Sequence, residues 1–391
     1  MDYLFTEGQK LLQELCRQIA EEKISKVAKE LDEKEEFPYE IMKVLAQSDL
    51  FAIYIPQQYG GLLELPEGRT VGGVLDLCIA TEELSRACGG IAVCYAASAL
   101  GTFPIILYGS EEQKRKYLPD LAKGKKLAAF AITEPEAGSD ASSIKTSAKK
   151  EGNYYILNGV KHFITNGGEA EIYVVIAMTD KTKGPRGASA FIVEKGTPGF
   201  SFGKKEEKLG IRASVTRELI FDNCKVPSDN LLGKEGLGFI ITMKTFDVSR
   251  PGVAAQAVGI AQGALDLALK YAKERYQFGK PISSFQGIQW MLADMATQIE
   301  AARSLVYSVA KMIDSGNTSV SKESAMAKLF ASDVAMRVTT DAVQIFGGYG
   351  YMRDYPIEKY MRDAKITQIY EGTNQIQRNI IALQLIKEMA K

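Results

Sequence analysis

The chain has 391 residues, room for two or three domains with a substantial core. Forty-eight basic residues balance forty-eight acidic ones, which excludes the basic footprint of a nucleic-acid binder. His162 is the single histidine, and the five cysteines (16, 78, 88, 94 and 224) form no C-x-x-C pair, so multi-histidine metal centres, zinc frameworks and disulfide scaffolds drop out.

Residues 1–127 read as helical. Thr6 and Gln9 set a capping box, and Leu11, Leu12, Leu15, Ile19, Val27 and Leu31 follow as an apolar stripe. "FPYEIMKVLAQSDLFAIYIP" gives a short helix, "QYGGLLELPEGRTVGG" a Gly/Pro-rich loop, and residues 73–119 two further helices. The acidic, amphipathic start resembles neither a signal nor a transit peptide, and no apolar run is read as a membrane span of about eighteen residues. A cytoplasmic protein is expected.

From 128 to 240 the period turns strand-like. "AAFAIT", "NYYILNG", "KHFITNGG", "EIYVVIAMT", "ASAFIVE" and "RELIFDNCKVP" are short β-rich runs separated by turn signals such as Asn158-Gly159. Short, regular spacing predicts an antiparallel β-domain, a barrel or sandwich. From 241 to 391 long helices return. Ile288 through Met312 and Met326 through Ile345 keep a three-four apolar spacing, which predicts a C-terminal four-helix bundle. The fold class is α+β in three domains.

Without a phosphate loop or a dinucleotide fingerprint, a carboxylate or a bound cofactor must carry any chemistry. Six segments are candidates. "FAITEPEAGSD" ends a strand in a loop where Gly138 and Ser139 allow close backbone approach to a ligand. In "KHFITNGG", Phe163 and Thr165 share one strand face. "FDVSRPG" places Asp247 and Arg250 before Pro251, read as the start of the next helix. "ERYQFGKPISSFQ" leaves a helix through Phe278-Gly279, and the double glycine of "QIFGGYG" ends another. In "QIYEGTNQIQ", Gly372 ends a helix and Thr373 or Asn374 caps the next, so Glu371 sits at a corner near a helix N-terminus that favours its basic form.

In this order and spacing the segments resemble the acyl-CoA dehydrogenase family over essentially the whole chain, its short- and medium-chain branches above all. The resemblance implies an N-terminal helical domain, a central β-domain and a C-terminal four-helix bundle with FAD held between the last two. It implies Glu371 in "IYEGT" as the catalytic base, with the flavin held by Phe130, Ile132, Thr133, Gly138, Ser139, Phe163, Ile164 and Thr165. Arg275, Gln277, Phe278, Gln286, Gln344, Gly347, Gly348, Thr373 and Gln375 match contacts to a neighbouring subunit's FAD. Ser139, Asp247, Arg250, Tyr370 and Gly372 match substrate contacts. No metal is implied. Glu371 would remove the α-proton of an acyl-CoA thioester while a hydride leaves the β-carbon for the flavin, its own N–H helping to hold the thioester oxygen. An electron-transferring flavoprotein is the implied acceptor and a homotetramer, a dimer of dimers, the implied assembly.

Phe163 stands where many relatives carry Trp, and Leu383 where the medium-chain branch has Arg. The loop at 62–73 is longer than usual near the acyl pocket. "GGIAVCYAASALG" (89–101), expected to line that pocket, is small and uncharged, which argues for a neutral short, branched or alicyclic acyl group. Alternatives on the same scaffold are an enoyl-CoA reductase, an acyl-CoA oxidase and a catalytically silent flavoprotein, the last disfavoured by Glu371.

Overall fold

The computed structural model describes residues 3–317 and 319–390. Helix α1 (Glu7–Ile19) starts on the expected box: Thr6 Oγ1 accepts from Gln9 N–H, and Thr6 N–H donates to the Gln9 side chain. The apolar stripe does not run on unbroken. A π turn at Ala20–Ile24 separates α1 from α2 (Ser25–Lys34) and rotates the buried face onto Cys16, Ile19, Ile24 and Ala28. Leu11 is left 64% exposed.

After α3 (Tyr39–Gln47), three helices replace the expected two: α4 (Val74–Ala87), α5 (Gly89–Tyr108) and α6 (Glu111–Ala122). Cys88, extended at φ −161° and ψ 110°, breaks α4 from α5. Two helices do reach membrane-span length, against the expectation from the sequence. α5 and the later α7 are both long and apolar enough to cross a bilayer by length and composition. Both are core helices, with 83% and 78% of their most apolar windows buried in the protein.

The β-domain has β1 (Ala128–Ala131), β2 (Ser147–Glu151), β3 (Tyr154–Thr165), β4 (Ile172–Met178), β5 (Ala188–Glu194), β6 (Phe200–Lys205), β7 (Thr216–Pro227) and β8 (Leu231–Leu232). They order as β6-β7-β3-β2-β4-β5-β8. Its main ladders are antiparallel, as expected, but β1 lies parallel on β4 and β2 touches β4 in parallel at Ser147 and Met178. Parallel neighbours need a long crossover, which the β2–β3 excursion provides. β3 is kinked by a bulge between Lys161 and Ile164, and His162 N–H ties that bulge to Thr133 O at the end of β1 (2.8 Å).

The C-terminal part comprises α7 (Gly238–Glu274), the β9–β10 hairpin (Tyr276–Gln277, Lys280–Pro281), α8 (Gln286–Asp314), α9 (Ser321–Phe346), α10 (Ile357–Thr367) and α11 (Asn374–Met389). α9 packs on α7, α8, α10 and α11. Phe278 and Gly279, both at positive φ, form the two-residue hairpin turn.

Pro251 does not start a helix. It lies inside the 37-residue α7, where its missing N–H orphans the Asp247 carbonyl. Ser324 Oγ, from α9, donates to that buried carbonyl at 2.7 Å and removes the penalty. The expected α9 stripe also shifts. Near its start the buried face is small or polar (Ser324, Ala325, Lys328, Ala331, Ser332), because α9 packs closely there, while Phe330 is 41% exposed.

Candidate active site

The corner between α10 and α11 presents Glu371. α10 ends at Thr367, and Thr373, not Asn374, caps α11, its Oγ1 accepting from Ile376 N–H at 3.3 Å. Between them Glu371 sits at φ 50° and Gly372 at φ 91°. A left-handed glutamate is a strained choice that its surroundings must hold. Gln377 Nε2 donates to Glu371 O (3.1 Å) and Gly372 O (2.9 Å), and Lys328 Nζ donates to Gly372 O (2.8 Å).

Two cavities meet at this corner. A mostly apolar pocket of about 130 Å³ runs between α4, α5, β1, β3 and α7, lined by Leu77, Val93, Ala96, Ala97, Leu100, Phe103, Phe130, Phe246, Gly252 and Val253. A larger cleft of about 600 Å³ lies between the β-domain and α10, lined by Glu134, Gly138, Ser139, Lys208, Ile211, Ile369 and Thr373. Thr133, Phe163, Thr165, Tyr370 and Glu371 line both. Glu371 is the one ionisable carboxylate on the wall of the smaller pocket among the described residues.

Burial pushes the Glu371 carboxyl above the usual carboxylate range. Ser249, Arg250 and Lys328 oppose that shift. Ser249 Oγ donates to Glu371 Oε2 at 2.6 Å. Among the described residues the backbone N–H of Glu371 donates to no protein acceptor, so it is open to a ligand oxygen. Tyr370 Oη donates to Gln256 Oε1, and Gln256 Nε2 in turn donates to Gly89 O (3.0 Å), which closes the wall beside the base.

A bulge, not strand alternation, sets the direction of Phe163 and Thr165. Phe163, at φ 58°, is 60% exposed, and Phe163, Ile164 and Thr165 all reach the smaller pocket. The His162 ring meets Phe163 edge-on, centroids 3.9 Å apart. His162 Nδ1 lies 2.9 Å from Glu218 Oε1, away from Glu371's bonding partners. Glu134, 7% exposed, accepts from Lys161 Nζ (2.7 Å), Lys145 N–H (2.6 Å) and Thr146 N–H (3.0 Å), fixing the loop that carries Gly138 and Ser139.

Asp247 and Arg250 line neither cavity. Asp247 accepts from Ser321 Oγ at 2.6 Å. Arg250, 3% exposed, lies behind the corner with Nε 3.4 Å from Glu371 O. Val93, Ala96, Ala97, Leu100 and Phe103 are the α5 residues that face the pocket, whereas Tyr95 Oη donates to Leu50 O (2.9 Å) and Ser98 Oγ accepts from Ala128 N–H (3.1 Å). The 62–73 loop reaches away from the pocket: Arg69 donates to Asp314 O at the end of α8, and Asp314 accepts from Val74 and Leu75 N–H (2.9 Å each).

Arg275, Gln277, Gly347 and Gly348 gather in a separate groove of about 470 Å³ with Tyr271 and Tyr349. Phe278 is 92% exposed, and Gln286, Gln344 and Gln375 are also exposed, so this chain does not bring them to the cleft. Sequence reasoning missed Ser249, Gln256, Lys328 and Gln377. The one available signal was Lys328, a charged residue at three-four spacing from Ala325 and Ala331 on a buried helix face.

Three domain families match in order: "Acyl-CoA dehydrogenase, N-terminal domain" over residues 6–125, the middle domain over 129–224 and the C-terminal domain over 236–386. The structure of butyryl-CoA dehydrogenase from Megasphaera elsdenii superposes with a TM-score of 0.94 at 49% identity, covering 99% of this chain and all of that one. A structure described as an electron transferring flavoprotein of Acidaminococcus fermentans superposes with a TM-score of 0.94 at 52% identity over 98% of this chain and 99% of that one. "Acryloyl-CoA reductase (NADH)" of Anaerotignum propionicum is 51% identical over 389 residues, 99% of this chain and 96% of the relative. The chain belongs to the acyl-CoA dehydrogenase family and is an FAD-dependent flavoprotein oxidoreductase.

Proposed function

We propose that the protein oxidises a neutral short, branched or alicyclic acyl-CoA thioester to the 2-enoyl-CoA and passes the electrons to an electron-transferring flavoprotein. The observation that carries this reading is Glu371 on the shared wall of a small, mostly apolar pocket and a larger cleft. The pocket fits the acyl tail. The cleft fits a flavin ring: Phe163 offers an exposed aromatic surface, Thr133 and Thr165 offer hydroxyls, and a Cβ at Gly138 would meet nothing within 4 Å, leaving the backbone approachable.

When bound, FAD supplies the acceptor for the β-hydrogen and its electron pair. The protein's share is the proton and the carbonyl. Glu371 takes the α-proton, and burial brings its proton affinity toward the working range while Ser249 holds the carboxylate in place. Its free backbone N–H stands ready for the thioester oxygen as negative charge develops there. Asp247 and Arg250 act from behind the corner rather than from an exposed wall.

Substrate size and charge follow from the pocket. About 130 Å³ admits a few carbons, and among the described residues no cationic side chain lines it, so a distal carboxylate would be buried unpaired. The exposed groove at Arg275, Gly347 and Gly348 supports binding of a neighbouring subunit's FAD in a homotetramer. Five free, buried cysteines support a reducing, cytoplasmic setting.

The test is a panel of acyl-CoAs with an artificial electron acceptor and product identification. Butyryl-CoA or a small branched or cyclic acyl-CoA should give the highest kcat/KM; glutaryl-CoA as best substrate would overturn the pocket assignment. The similarity to a reductase favours one second reading, the same chemistry run toward enoyl-CoA reduction. Faster turnover of the 2-enoyl-CoA than of the acyl-CoA, with reduced electron-transferring flavoprotein as donor, would select it.

A further inference from the structure

We propose that Lys328 is a positioning residue for Glu371, clamping the carbonyl that follows the base and setting a buried positive charge against the carboxylate. This rests on the reading of Glu371 as the base. The strained corner needs a clasp, and α9 supplies it. Lys328 Nζ donates to Gly372 O (2.8 Å) and Asn374 Oδ1 (3.0 Å). Asn374 Nδ2 donates onward to Ser332 Oγ (2.9 Å) and Asp333 Oδ1 (2.8 Å).

Neutral acceptors do not call for an ammonium. Lys328 is 0% exposed and, among the described residues, forms no ion pair, so its charge is costly where it stands. The groups around Glu371 show where that charge acts. From α7, Arg250 Nη1 is already 3.8 Å from Asp247. From α9, Asp333 is held by Asn374, by Gln368 Nε2 (2.7 Å) and by Arg378 (3.1 Å). Tyr370 is occupied by Gln256. Lys328 therefore joins Arg250 as a buried cation acting on Glu371, and unlike Arg250 it has no second carboxylate among its ion pairs in the described residues. Burial pushes the lysine down to about 7 while the Glu371 charge draws it up, and the lysine in turn favours the Glu371 carboxylate.

The test uses flavin-loaded protein and acetyl-CoA in D₂O. Acetyl-CoA has exchangeable α-hydrogens and no β-carbon, so Glu371 can remove a proton and return a deuteron with no oxidation. Exchange is read by mass spectrometry from about pH 5 to 9, beside flavin content and melting temperature. Lys328→Gln keeps a donor but deletes the charge. The ascending limb should move up by about one pH unit or more, with roughly tenfold slower exchange on that limb and a retained plateau. Lys328→Arg should stay on the wild-type limb. Asn374→Asp, which sets a second carboxylate against the ammonium, should shift the limb upward too, and it carries the test if Lys328→Gln fails to hold flavin. An unmoved limb, or an Arg variant shifted like the Gln variant, overturns the proposal. Glu371→Gln separates the two claims: wild-type exchange in that variant would sink the base assignment itself, whatever Lys328 does.

Discussion

Leu100→Ala should lengthen the acyl chain the enzyme prefers. Val93 and Leu100 both line the smaller, apolar pocket. Val93 lies nearer the Gly89 end of α5, where Gln256 and Tyr370 close the wall beside Glu371. The helical rise puts Leu100 about 10 Å farther along. Truncating it removes three carbons from the far end and leaves the Glu371 corner untouched. Each methylene then buried is worth about 0.8 kcal/mol. A tail two carbons longer therefore gains about 1.6 kcal/mol relative to butyryl, roughly tenfold or a little more in the ratio of kcat/KM values. The fold pays about 2 kcal/mol, the low end for such truncations, because Leu100 already borders empty space. The assay compares kcat/KM for butyryl- and hexanoyl-CoA in wild type and variant, with the melting temperature alongside. An unchanged ratio in a folded, flavin-loaded variant would show that the acyl tail does not enter this pocket.

Ser249→Ala removes a hydrogen bond to a carboxylate, worth about 1.5–3 kcal/mol. Because that bond lowers the Glu371 proton affinity, its loss should raise the acid limb of the kcat profile by about one to two pH units and leave activity above the limb nearly intact. Ser324→Ala orphans the buried Asp247 carbonyl inside α7 and should cost about 1–3 kcal/mol, read as a lower denaturant midpoint at unchanged m. Arg275→Ala, in the groove away from Glu371, should lose FAD and assemble poorly in size-exclusion chromatography; a fully flavinated monomer would contradict the shared-cofactor assembly.

The three-part order and the Glu371 corner were legible because both rest on local signals: a change of period, a glycine and a cap in fixed order. Features set by distant partners were not. Pro251 reads as a helix start because an interior proline is costly, and nothing nearby in sequence announces Ser324 as its remedy. Arg250 reads as a substrate contact just before a helix start, whereas packing of α7 beneath the corner buries it. The π turn after α1 leaves no mark beyond ordinary helix formers, so the sequence reads as one continuous stripe. Phe163 was found for the wrong reason: a bulge, not strand alternation, turns it to the cleft.

The central claim is that Glu371 is the base, and Glu371→Gln tests it most directly. Gln is nearly isosteric, so the Ser249 contact, the corner and the backbone N–H should persist, with FAD and ligand binding retained. Anaerobic stopped-flow of flavin absorbance on mixing with a good acyl-CoA should show reduction slowed by about 10²–10⁴-fold or more. Reduction within about tenfold of wild type, in a variant that still binds FAD and acyl-CoA, would place the base elsewhere and contradict the account.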